Sequence, residues 1–181
     1  MSQIELSYED LKQEMIKEIQ KHELVFLATS ERELVTNRMV RLVSNGLSFF
    51  FLTNVNSRKY KQIMANPNVA IAAGGLQIEG MASLKGHPQD EENTEFIKAF
   101  RESRPEAYKM NLEKGNLQSP VIRLFEIVPR RIALYTSRPS ASEPGAYTDI
   151  LNTVTEEAYR VPWLSASGKS LNVSEAPAYR E

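Results

Sequence analysis

The sequence predicts a mainly β domain with helices, built as a small antiparallel barrel of about six short strands. Three observations carry this prediction. Segments rich in Val, Leu, Phe and Thr recur between residues 24 and 135, separated by polar or glycine breaks. The pair Asn45-Gly46, a strong signal for a tight hairpin, joins two of them. Helical stretches are inserted between the strands, and closing an antiparallel sheet on itself is the common way to remove its edges.

Ser7 followed by Asp10 resembles a capping box, and Leu11, Met15, Ile16 and Ile19 recur at helical spacing, so a helix is expected over Tyr8 to Lys21. From Leu24 the period changes. Leu24 to Thr29, Leu34 to Val43 and Leu47 to Thr53 read as an antiparallel meander. A short helix over Ser57 to Ala65 should stop at Asn66-Pro67, and Val69 to Ala73 with Leu76 to Leu84 form two strands around Gly74-Gly75. Pro88 opens a helical stretch to Arg104, a further helix runs from Glu106 to Glu113, and Pro120 to Tyr135 is the last strand region, with Pro129 at an edge or a bulge. Beyond it, the chain holds four of its nine prolines and shows little apolar periodicity. The expected organisation is a domain over residues 1–136 and an extension over 137–181 that is a strap or partly disordered.

Composition narrows the chemistry. The 181 residues carry 22 Lys plus Arg against 23 Asp plus Glu, a net charge of -1, which argues against broad nucleic-acid binding or a general affinity for acidic membranes. There is no Cys, hence no disulfide, thiolate metal site or cysteine nucleophile. No apolar run approaches about 18 residues and the N-terminus has no signal-peptide pattern, so a cytoplasmic protein is expected. Chemistry must come from other side chains or from a borrowed cofactor.

The stretch from Arg38 to Ala72 is the most informative. Ser57 suits a helix N-cap, yet Arg58 and Lys59 occupy the first turn, where the helix dipole disfavours cations. Either an anion sits at that N-terminus, held with Thr53 nearby, or the turn is a solvated basic start; the residues alone leave both open. Arg38 and Arg41 likewise interrupt a strand and face opposite sides, one free to meet water and the other needing a rim, a contact or an anion.

Arg38-Met39-Val40, the strand Phe49 to Thr53, the run Thr53-Asn54-Val55-Asn56-Ser57-Arg58-Lys59, Gln62-Ile63 and Asn66-Pro67-Asn68-Val69 resemble the FMN-binding signature of the pyridoxamine 5'-phosphate oxidase-like split-barrel flavoproteins. Gly80-Met81-Ala82 and Val128-Pro129-Arg130-Arg131-Ile132 extend the resemblance. It implies a six-stranded antiparallel split β-barrel that forms a homodimer with FMN at the interface. It also implies that Arg38, Ser57, Arg58 and Lys59 hold the FMN phosphate, that Thr53 lies beside it, and that the backbone at Met39, Val40 and Leu42 faces the isoalloxazine ring. Gln77 stands two residues from the place of a flavin-contacting glutamine, a shift that preserves strand face.

The departures matter as much. Val43 stands where the true oxidases carry a lysine for the vitamin phosphate, Tyr135 where they carry a tryptophan, and the tail has no Arg-x-His. In the fragment Phe100 to Pro105 only Arg104 matches their substrate-binding residues. The resemblance is therefore to the general stress protein type and not to a true pyridoxamine phosphate oxidase. The expected function is an FMN-dependent oxidoreductase of unnamed small-molecule substrate, with NAD(P)H or another donor as partner. The alternatives are a non-catalytic flavin-binding stress or sensor protein, or a haem-binding split barrel. His22 and His87 read as surface residues, two isolated histidines make a metal site improbable, and Trp163 reads as an anchor for the tail.

Overall fold

The computed structural model describes residues 3–137 and 145–163. A short strand β1 (Ile4–Glu5) precedes helix α1 (Tyr8–Gln20). Ser7 caps the helix, accepting from the Asp10 N–H at 3.4 Å, and Leu11, Met15 and Ile19 form its buried stripe. The meander follows as β2 (Leu24–Glu31), β3 (Leu34–Arg41), β4 (Val43–Asn45) and β5 (Ser48–Asn54). Asn45 pairs with Ser48 across the expected hairpin, whose turn needs the positive φ of 59° that Gly46 supplies. Then come α2 (Arg58–Ala65), β6 (Asn68–Ala73) and β7 (Leu76–Leu84).

The helical stretch expected from Pro88 is shorter than the sequence suggested. Asp90 turns back to accept the His87 N–H at 2.7 Å, a single 3-10 turn covers Glu91–Asn93, and only then does α3 (Thr94–Ser103) begin, followed by α4 (Pro105–Glu113). The long strand β8 (Ile122–Thr136) follows, and the hairpin β9 (Tyr147–Asn152) and β10 (Glu157–Pro162) extends the sheet.

Every ladder is antiparallel, in the order β1-β10-β9-β8-β7-β6-β2-β3, with β5 on β8 and β4 on β5. The architecture is thus mainly β with helices, as expected, but the described residues form ten strands rather than six, and among them the sheet does not close by hydrogen bonds. At Leu42 the partner changes: its N–H donates to the Glu23 carbonyl at 2.8 Å in the register of the β2–β3 ladder, and from Val43 the chain pairs with β5 instead, so β3 reaches β5 through chain continuity and not through a ladder. Pro129 sits in a different gap. The first half of β8 pairs with β5 and the second half with β9, so the N–H that Pro129 lacks falls where partners change. Beside it β8 bulges at Arg130, the extra residue opposite the Glu79–Gly80 step of β7, and a Cβ on Gly80 would meet the Val128 oxygen at 2.6 Å.

The main core lies between α1 and the sheet and includes Met15, Leu27, Phe49, Phe51, Ile71 and Phe125. Phe51 and Phe125 stack at 5.5 Å, and Tyr60 of α2 meets Phe125 edge-on, which fixes α2 against β5 and β8. A second cluster of Val43, Phe50, Phe96, Phe100, Ala107 and Leu124 seats α3 and α4 beside β4 and β5. Among the described residues no helix is long and apolar enough to cross a membrane.

Candidate anion site at the N-terminus of α2

The turn from β5 into α2 builds the site. Asn54 accepts the Asn56 N–H at 2.8 Å and so shapes the turn, and Ser57 takes the extended conformation of an N-cap with its hydroxyl accepting the Tyr60 N–H at 3.3 Å. Thr53, only 3% exposed, places its hydroxyl 2.9 Å from that of Ser57. No acidic residue stands in the first turn of α2 to meet its dipole. Arg58 and Lys59 stand there instead.

Strand β3 brings the third cation. Arg38 donates from one terminal nitrogen to the Leu27 carbonyl at 3.2 Å and the Thr29 hydroxyl at 2.6 Å, and from the other to the Thr36 hydroxyl and to Gln62 Oε1 at 3.0 Å. Four of its five N–H donors are thereby committed, and every partner is neutral. Burial and the nearby Arg58 both hold the Arg38 guanidinium below its ordinary pKa. Burial, and then the charge of Arg38, push the Lys59 ammonium down in the same way. Among the described residues no carboxylate makes an ion pair with any of the three. Arg41, three positions along the same strand, is the contrast, since its Nε meets Glu23 Oε1 at 2.6 Å.

Two clefts flank these cations. Lys59 lines one of about 220 Å³ with Met39, Val40, Arg41, Phe96 and Asn111. Arg58 lines the other beside Gln62 and the β2–β3 turn, which carries Glu31, Arg32 and Glu33. Val40 and Leu42 point into the core at 8% and 2% exposure, so on this strand only backbone and the outward Met39 side chain are available to a ligand. The Leu42 N–H is already committed to Glu23.

Among the expected site residues, the structure gathers Arg38, Met39, Val40, Thr53, Ser57, Arg58 and Lys59 around the N-terminus of α2. It does not bring two others there. Gln77 lies on the exposed face of β7, separated from β3 by β6 and β2, though in one cross-strand row with Met39 through Phe26 and Ala72. Arg104 donates to the carbonyls of Gln20 at 2.8 Å and His22 at 3.2 Å, where it satisfies the end of α1. Thr29 and Thr36 are residues that sequence reasoning did not single out, and Gln62 entered it only within Gln62-Ile63 of the resemblance, with no role given. The available signal was a glutamine beside Ile63 on the buried side of α2, and its exposure of 1% makes it a buried polar group that must have partners.

Neither histidine reaches the clefts. His22 Nε2 lies 3.5 Å from Glu18, and His87 has Ser119 O at 3.2 Å from Nε2 while Nδ1 accepts the Gln89 N–H. Trp163 donates to the Thr148 hydroxyl at 2.9 Å and lies 4.8 Å from Tyr135, which ties the end of the β9–β10 hairpin to β8.

Comparison with known proteins adds the following. A family model described as pyridoxamine 5'-phosphate oxidase matches residues 11–135. A pyridoxine/pyridoxamine 5'-phosphate oxidase of Vesicomyosocius okutanii subsp. Calyptogena okutanii (strain HA) is 35% identical over 85 residues, which is 46% of this chain and 40% of that protein. The match therefore spans less than half of that relative's length. Among solved structures, general stress protein 26 of Bacillus anthracis str. Sterne aligns with TM-score 0.52 and 20% identity over 67% of this chain and 91% of its own. HutZ of Vibrio cholerae, a haem storage protein, aligns with TM-score 0.51 and 21% identity over 64% and 88%. At these identities both structures show the shared fold alone.

Proposed function

The chain belongs to the pyridoxamine 5'-phosphate oxidase family, and from that premise we propose that it binds FMN and acts as an FMN-dependent oxidoreductase on a small molecule. The observation that carries the reading is the collection of Arg38, Arg58 and Lys59, without a carboxylate partner, at a helix N-terminus that has no acid of its own. Such a cluster is costly unless an anion relieves it, and a phosphate dianion fits both the charge and the capping donors.

In this reading Arg58, Lys59 and the Ser57 hydroxyl hold the phosphate, with Thr53 beside Ser57. Arg38, most of whose donors are committed, contributes mainly its charge. The cleft between Lys59 and the face made by Met39, Val40 and Phe96 takes the ring, with Arg41 at its edge. The bound flavin supplies the electron-transfer chemistry that a chain without cysteine cannot. The protein binds, orients and excludes water.

The substrate is not the vitamin phosphate in this proposal, because Val43 is buried in the second apolar cluster and Arg104 is occupied by the end of α1. A second copy of the chain would cover the exposed row of Phe26 and Met39, at 53% and 59% exposure, and bring a further surface, Gln77 included, to the flavin. Reduced nicotinamide is the proposed donor and the cytoplasm the proposed location. Haem is the weaker reading, since no histidine lines the cleft. The test is direct. Purified protein should show flavin absorption or gain thermal stability on adding FMN, and anaerobic NADH or NADPH should bleach the bound flavin. A colourless protein whose melting temperature ignores FMN refutes the binding, and a flavin that neither donor reduces refutes nicotinamide-driven turnover and leaves the non-catalytic carrier or sensor.

A further inference from the structure

We propose that Gln62 is the positioning residue of this site: with the hydroxyls of Thr29 and Thr36 it clamps the Arg38 guanidinium without neutralising it, so that the site keeps its full positive charge for a phosphate dianion. This rests on the FMN reading for the identity of the ligand, but not for the role of the clamp.

The proton assignment follows from chemistry alone. Arginine can only donate, so the Gln62 atom 3.0 Å from Arg38 must be the amide oxygen. Thr29 and Thr36 each have a single hydroxyl proton. Each accepts from Arg38, and each donates to the same Gln62 oxygen at 2.7 Å. All three donors then converge on one neutral acceptor. Thr29 and Thr36 are cross-strand partners in the β2–β3 ladder, so the clamp joins α2 to that hairpin across the base of the site.

A carboxylate at position 62 would satisfy the same donors and hold Arg38 more tightly. It would also cancel one of the three charges. A glutamine there costs the folded protein the attraction of an ion pair and preserves the field that a dianion meets. The fold does supply such a pair to Arg41, through Glu23, on the same strand.

The full-length protein with Gln62→Glu tests this through three measurements. Its ligand-free melting temperature should be no lower than that of the natural protein. Its preference for FMN over riboflavin, read from flavin fluorescence titrations, should fall by about tenfold or more, because a charged ligand now meets one fewer net charge. The Lys59 ammonium, followed by NMR of its side-chain carbon, should titrate at higher pH, because the new carboxylate offsets Arg38. A natural preference for FMN together with an unmoved Lys59 titration would overturn the proposal. If the natural protein binds no FMN, the flavin reading fails, and the Lys59 titration alone then decides for or against the clamp. Should Gln62→Glu not fold, Gln62→Met decides. It frees Arg38 and should lower the preference for FMN several-fold, whereas an unchanged preference would overturn the role.

Discussion

Replacing Lys59 by Met keeps an unbranched stem in the cleft that Val40, Phe51 and Leu52 also line, and removes only the charge. In the ligand-free protein that charge is unwelcome, since burial and Arg38 both depress the ammonium. Stability without ligand should therefore hold or rise slightly. With FMN the sign reverses. A charge-assisted bond to phosphate contributes about 1.5–3 kcal/mol, and the partial exposure of Lys59 places the loss in the lower half of that range. At about 1.4 kcal/mol per decade this is roughly a 10- to 40-fold rise in Kd. Fluorescence titration of FMN with natural and variant protein measures it, and melting curves without flavin measure the other arm. The opposite signs are the diagnostic feature, because a lysine that merely braces the fold would lower the melting temperature and leave Kd alone. An unchanged Kd, or a ligand-free melting temperature several degrees lower, refutes the reasoning.

Three further outcomes are expected. Ser57→Asp retains a good N-cap and should melt within about 1 kcal/mol of the natural protein, yet it sets a carboxylate against the phosphate and should weaken FMN more than Ser57→Ala does; equal losses in the two variants would remove Ser57 from the site. The pH dependence of ligand-free stability should show Lys59 directly. Its folded pKa lies below the ordinary 10.5, so between the two values the unfolded chain binds more protons and stability rises with pH, while below the folded value the penalty is present in full. Denaturant titrations of natural protein minus Lys59→Met across that window should give a positive slope, and a flat difference would contradict it. Asp149→Ala removes the carboxylate, 4% exposed, that holds Arg160 through two bonds of 2.7 and 2.8 Å. The loss should be roughly 3 kcal/mol, or about 6–12 °C in Tm by calorimetry, and a shift under a degree would show that the Asp149–Arg160 pair contributes nothing to stability.

The parts of this molecule that were legible in the sequence are the parts decided locally. Ser7 and Ser57 cap helices through bonds that span three residues, and Asn45-Gly46 makes its turn with the strands immediately beside it. The run from Thr53 to Lys59 is a site assembled almost within one turn of chain, so its residues announce it. What escaped is decided at a distance. Strand β10 buries only Ala158 and ends in Pro162, a pattern too weak to read, and it is a strand because β9 finds a free edge on the second half of β8. Leu42 gives no sign in its side chain that the partner changes there, from β2 up to its bond with Glu23 to β5 from Val43 onward. The clamp on Arg38 needs the β2–β3 register to bring Thr29 beside Thr36 and the packing of α2 to lower Gln62 onto both.

Two arginines on one strand show how such distant choices shape function. Arg38 and Arg41 point to opposite sides of β3, and periodicity alone gives neither a role. Arg41 is met by the carboxylate of Glu23, and its charge is balanced within the protein. Arg38 is met by a carbonyl, two hydroxyls and an amide, which fix its position while leaving its charge uncancelled. A structural arginine gains by having its charge balanced, since the unbalanced state raises the cost of burying it. The absence of that balance at Arg38, repeated at Lys59 and at the acid-free start of α2, is therefore a stability that the fold forgoes. Three such concessions converge on one helix N-terminus, and an anion is the one kind of ligand that relieves all three together.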